Sequence, residues 1–146
     1  MENHKFKSII YLSILFLLLI NSENKIWSNS NSIFLNINQT GCHRIFFNGA
    51  IDETTQISFD PQYVYVNGEE IGPVSDFHCF DQNDNIIELK WDSFGDHIPG
   101  LFYNCSNITK VDMSKFGDSS HIVSMFLLFY GCSSLTSIDF TNFKTD

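Results

Sequence analysis

LFYNCSNITKVDMSKF, residues Leu101 to Phe116, returns at an offset of 27 residues as LFYGCSSLTSIDFTNF, residues Leu128 to Phe143, with 8 of 16 positions identical. Agreement over that length marks an internal repeat, the signature of a chain built from stacked, similar units. Within each copy the apolar residues follow one spacing, L-x-x-L-x-L-x-x-F. They are Ile108, Val111, Met113 and Phe116 in the first copy, and Leu135, Ile138, Phe140 and Phe143 in the second. A unit this small cannot bury its apolar side alone, so the copies are expected to stack.

The spacing is that of leucine-rich repeats, whose middle residues form a short parallel strand with the last Phe packed behind it. It recurs at Ile86, Leu89, Trp91 and Phe94, which reads as a degenerate first coil, since terminal repeats must cover the open end of the core. Between the strands, HIVSMFLLF (His121 to Phe129) places Ile122, Met125, Phe126 and Phe129 at i, i+3, i+4 and i+7. That period predicts a short helix on the convex side. The expected fold class is therefore α/β: a short leucine-rich-repeat solenoid over residues 86–146, preceded by a small β-rich N-terminal segment over 23–85. Its coils are 86–100, 101–127 and 128–146.

In the β-rich segment the runs SIFLNI (Ser32 to Ile37), RIFF (Arg44 to Phe47), QISF (Gln56 to Phe59), YVYV (Tyr63 to Val66) and IIELKW (Ile86 to Trp91) are dominated by β-branched and aromatic residues. YVYVNGEEI sets Asn67-Gly68 between two such runs, the sequence of a type I′ hairpin turn. Ahead of all this, Lys5 and Lys7 precede a mostly apolar run of twelve residues, Ile9 to Ile20, closed by polar Asn21 to Asn24. The layout is that of a secretory signal peptide over 1–22. At about 1.5 Å per residue the run falls short of the roughly 30 Å hydrocarbon core, so an uncleaved anchor is the weaker reading.

The repeat FYGCSSLTSIDFTNFKTD resembles that of BspA-like leucine-rich repeat surface proteins. The likeness covers Leu101 to Asp146 and, more weakly, Ile86 to Gly100. Departures are Asn104 where the usual Gly stands, Gly117 as an inserted residue, and a more apolar segment between the strands. The resemblance implies a secreted or cell-surface protein, binding without catalysis in adhesion to other cells or matrix.

Composition narrows the classes further. The chain of 146 residues carries 8 Lys+Arg against 17 Asp+Glu, a formal charge of -9, which argues against a binder of nucleic-acid phosphates. Fifteen Phe residues provide apolar material for a core. Export places Cys42, Cys79, Cys105 and Cys132 where disulfides persist. Cys105 and Cys132 hold equivalent repeat positions and are expected to stack as a buried cysteine ladder, with a disulfide between them as the alternative. Cys42 and Cys79 then remain to pair with each other.

Cys42-His43 and His78-Cys79 are poor zinc ligands, because adjacent strand residues point to opposite faces. The scattered Cys and His give no nucleophile motif either. Asp81, Asn83, Asn85 and Asp92 are spaced loosely like a calcium loop, but Ile86 stands where that loop needs Gly. Neither a cofactor nor a metal is expected. Asn38, Asn104 and Asn107 each begin an Asn-x-Ser/Thr glycosylation sequon.

The leading expectation is an exported surface module that binds a protein or glycan on another cell or matrix. Its partner face is the outward row of the strands: Glu88, Lys90 and Asp92, then Lys110, Asp112 and Ser114, then Ser137, Asp139 and Thr141. A second reading is a truncated or fragmentary family member with no binding role of its own, since Asp146 falls where another coil would begin. A small secreted hydrolase is the third. The C-terminal coil is expected to be uncapped, with Ile138, Phe140 and Phe143 facing a missing layer and driving self-association.

Overall fold

The computed structural model describes residues 31–50, 60–93, 97–117 and 119–144. The signal peptide over 1–22, the QISF run and Phe94 lie outside the described residues. Among the described residues eight strands form: β1 (Asn31–Ile37), β2 (Gly41–Arg44), β3 (Tyr63–Val66), β4 (Glu69–Glu70), β5 (Phe77–Phe80), β6 (Asn85–Trp91), β7 (Ile108–Asp112) and β8 (Ser137–Asp139). Six of them make one sheet in the order β4-β3-β6-β1-β7-β8, and β2 with β5 makes a two-stranded ribbon. Every described strand pairing is antiparallel except β7 with β8, and an isolated bridge between His97 and Ser124 is also parallel.

The expected α/β leucine-rich-repeat solenoid does not form. Such a solenoid needs each coil strand parallel to the next and a helix on the return path, and the described residues contain no α-helix. The expected first coil is overturned by β6, which lies antiparallel between β3 and β1, with β1 separating it from β7. Ile86, assigned there to the core, is exposed on the outer face, whereas Leu89 and Trp91 are buried. The physical cause is β1 itself: its seven residues alternate, with Ile33, Leu35 and Ile37 fully buried, and it bonds along both edges. On the β7 side the register slips by one residue between Asn36 and Ile37, leaving Thr109 as a bulge. The Thr109 hydroxyl donates to the Asn36 carbonyl at 3.1 Å.

The two 27-residue copies nevertheless stack. Lys110, Val111 and Asp112 pair in parallel with Ser137, Ile138 and Asp139. Around the turns the amides of Ile98, Gly100, Phe102 and Asn104 donate to the carbonyls of Ser124, Phe126, Leu128 and Tyr130 at 2.7 to 3.0 Å. This ladder explains the missing helix over 121–129. Alternate carbonyls are taken by the first copy, and those of Met125, Leu127 and Phe129 accept amides three residues on. Leu127 and Gly131, at φ 55° and 76°, also leave the right-handed helical region. Among the described residues the helical structure is limited to a short 3-10 turn, Ser119–His121.

The hairpin reading holds: Asn67 and Gly68 both take positive φ, 53° and 88°, and Tyr65 to Val66 pair with Glu69 to Glu70. Of RIFF only Arg44 is in a strand, as the last residue of β2. Ile45 and Phe46 are buried as plugs against the core, and the Phe47 amide donates to Leu101 at 2.7 Å. One apolar cluster joins the inner sheet face (Val64, Ile87, Leu89, Trp91, Ile33, Leu35, Ile37, Val111) to Phe80 and to Ile98, Leu101, Phe102, Met113, Phe116 and Leu128.

Candidate binding interface

Strand alternation turns the polar residues of the six-stranded sheet to the face opposite this core. Cross-strand register lines up Glu70, Tyr65, Glu88, Phe34, Asp112 and Asp139 across all six strands. Beside that row lie Tyr63, Lys90 and Ser32 on one side, and Ile86, Asn36, Lys110 and Ser137 on the other. Ser32 is buried and the rest are exposed or half-buried.

The face is held in place by its own polar contacts. Ser32 donates to Glu88 at 2.7 Å. Asp112 accepts the Ser114 amide at 2.8 Å, and Asp139 accepts the Thr141 amide at 2.7 Å, so both copies end their strand in the same side-chain-capped turn. Hydrogen bonds from the Thr141 hydroxyl and amide hold the Asp139 carboxyl below its ordinary value. Burial, then the neighbouring Glu70 and Glu88 carboxylates, push the Tyr65 phenol upward, so it stays a hydrogen-bond donor at neutral pH.

Of the expected partner residues, Glu88, Lys90, Lys110, Asp112, Ser137 and Asp139 do share one face. Asp92, Ser114 and Thr141 lie beyond the strand ends, and the last two spend their amides on the caps. Sequence reasoning missed Phe34 and Asn36 because it set β6 directly beside β7, and Tyr63, Tyr65 and Glu70 because it kept residues 23–85 apart from the repeat sheet.

It also missed an aromatic row. Arg44 lies over the Phe47 and Phe77 rings at 5.2 and 4.8 Å and pairs with Asp76 at 3.4 Å. Phe47 meets Tyr103 at 5.3 Å, and Tyr103 stacks on Tyr130 at 5.2 Å. The recurrence of Tyr at offset 27 was the available signal. A cleft of about 350 Å³ beside β4 is lined by Val66, Glu69, Glu70, Ile71, His78 and Asp81, among others. No group of three or more His, Cys, Asp or Glu among the described residues is arranged to hold a metal ion.

Cys42 and Cys79, directly opposed on β2 and β5, form a disulfide, which is consistent with an extracellular location. Cys105 and Cys132 are free thiols rather than a bridge. Burial pushes Cys132 up to about 11 and Cys105 further, so both stay protonated, as a packed ladder requires. Among the sequons, Asn38 is exposed, Asn107 donates to Gln39 at 2.8 Å, and the Asn104 side chain lies against Gly131.

The chain matches no protein-family model, no curated protein and no solved structure.

Proposed function

We propose that the chain is an exported, non-enzymatic binding module that recognises a protein or glycan on another cell or matrix through the outer face of its mixed sheet. The observation that carries the reading is the continuous row Glu70, Tyr65, Glu88, Phe34, Asp112 and Asp139, which alternates carboxylates with rings over five strands and sets two carboxylates side by side at β7 and β8. Like charges on adjacent strands, about 4.8 Å apart, repel unless water or a basic partner offsets them. Such a row therefore favours a partner that brings cationic groups. Rings beside the carboxylates add apolar contact, which suits an interface core. The apolar run behind Lys5 and Lys7, the disulfide and the resemblance of the repeat to BspA-like surface proteins support the exported, surface-binding part of the reading.

Changing Asp112 and Asp139 together to Asn tests it, because Asn keeps the capping oxygen and removes only the charge. Binding of the purified chain to cells or matrix should fall several-fold and the melting temperature should hold. Unchanged binding in that variant, with loss on substituting exposed Val123, would place the interface elsewhere.

A further inference from the structure

The fold treats the three sequons differently. Asn38-Gln39-Thr40 follows the last residue of β1 and is exposed at all of its positions. The other two are built into the first copy. Cys105, the middle residue of Asn104-Cys105-Ser106, is fully buried, and so is Ile108, the middle residue of Asn107-Ile108-Thr109 and the first of β7. A sugar on Asn38 would therefore stand on chain that the core does not use. On either of the others it would stand beside a residue that must pack inward.

Polar contacts sharpen the distinction. An acceptor asparagine offers its side-chain amide, and the hydroxyl two residues on is part of what is recognised. Ser106 spends its hydroxyl on Asn107 Oδ1 at 3.0 Å, and the Thr109 hydroxyl lies 3.1 Å from the Asn36 carbonyl. Asn107 Nδ2 donates to Gln39 at 2.8 Å, and the Asn104 side chain lies against Gly131 in the contact between the copies. At Asn38 the pattern is reversed. Its Oδ1 lies 3.4 Å from the Thr109 hydroxyl, while Nδ2 and the Thr40 hydroxyl have no hydrogen-bond partner among the described residues. The contact that orients the Asn38 side chain thus uses the atom that glycosylation spares. The turn is anchored on both sides, by β1 before it and by the His43 ring, 2.9 Å from the Thr40 carbonyl, after it.

We propose that Asn38 is an N-glycan acceptor and that Asn104 and Asn107 stay unmodified. The inference rests on the exported part of the proposed function, because the donor, an oligosaccharide on a polyprenyl diphosphate, is met on the export route. In the transfer, Asn38 Nδ2 bonds to the anomeric carbon of the sugar and gives up one proton. The bond from that carbon to the diphosphate breaks, and the polyprenyl diphosphate leaves with the bonding pair. Since two sequons fold into the stack and one stays outside it, a chain that carries its sugar on Asn38 folds unchanged whether the transfer precedes folding or follows it. Asn38 ends the strand that lies between β6 and β7, so the glycan stands at one end of the candidate binding face.

Secretion of the full chain from cultured eukaryotic cells tests this, with residues 1–22 as the leader in one sample and a proven export signal in their place in a second. Digestion of the secreted chain with peptide-N-glycosidase should release a single glycan and convert Asn38, and no other sequon asparagine, to Asp in mass mapping. Asn38→Gln and Thr40→Ala should each abolish the glycan without lowering the melting temperature, and Asn107→Gln should leave it in place. A secreted chain with no glycan, or with one on Asn104 or Asn107, would overturn the proposal while export stood. Retention under residues 1–22 alone would count against the export reading, and the second sample would still decide the acceptor.

Discussion

The first and second copies follow one motif and end in different environments. Ile108, Val111, Met113 and Phe116 are all buried, whereas Leu135, Ile138 and Phe143 are half-buried and Phe140 is exposed. Nothing in the apolar spacing accounts for this. What differs is the number of neighbours: the first copy lies between β1 and the second copy, while the second has a described neighbour on one side only. Burial, and with it the energetic weight of a residue, is set by position in the stack and not by the motif.

Equivalent truncations should therefore be unequal. Ile108→Ala removes a fully buried side chain from the junction of the antiparallel and parallel parts, at a cost of about 2 to 5 kcal/mol. Leu135→Ala should cost roughly half as much, since part of its surface is already wet. Equal losses in denaturant melts would mean that the second copy is as enclosed as the first. Thr136→Ala, at an exposed position, loses one hydrogen bond to the Thr109 carbonyl and should cost about 1 kcal/mol.

Backbone conformation gives a second, smaller contrast. The left-handed positions recur: Gly100 and Leu127 at φ 58° and 55°, Asn104 and Gly131 at 55° and 76°. At the first pair the second copy carries the strained residue, and Leu127→Gly should stabilise by up to about 1 kcal/mol. At the second pair the order is reversed. Gly131→Ala should destabilise by about 1 to 2 kcal/mol, because φ is positive and a Cβ would collide with the Asn104 side chain. Opposite signs in these two variants, read from melting temperatures, would confirm that both copies share one backbone path.

Much of this was legible in the sequence. The offset of 27, the hairpin at Asn67-Gly68 and the strands at SIFLNI, YVYV and IIELKW all follow from local pattern. Order in the sheet did not, because alternation in SIFLNI shows that β1 has a buried face and is silent on which strands flank it. The apolar residues at 122, 125, 126 and 129 matched a helical period, but the period cannot report that alternate carbonyls are claimed by a neighbouring copy. That error also explains the missed half of the candidate face: without β1 between β6 and β7, Phe34 and Asn36 had no place in it.

The free thiols sharpen the comparison further. Cys132 is half-buried with its pKa pushed up to about 11, and Cys105 is more deeply buried and higher. Alkylation of the native chain should be slow at both and faster at Cys132; a faster Cys105 would contradict the stacking order.

The smallest effect is electrostatic. Asp139 has a folded pKa below its ordinary 3.8, so the stability it adds is present above that value and is lost as pH falls through the depressed one. Asp139→Asn should flatten the acid limb of the stability curve slightly, by removing that small contribution from the neutral region. An unchanged acid limb would mean that the Thr141 cap does not persist in solution.

Amide hydrogen exchange in the native chain tests the unequal burial of the two copies most directly. Phe102, Asn104 and Met113, bonded across the copies, should be protected, and Phe129, Gly131 and Phe140, their equivalents, should exchange far faster. Equal protection of the two sets would contradict a stack whose outer copy is covered on one side only by the described residues.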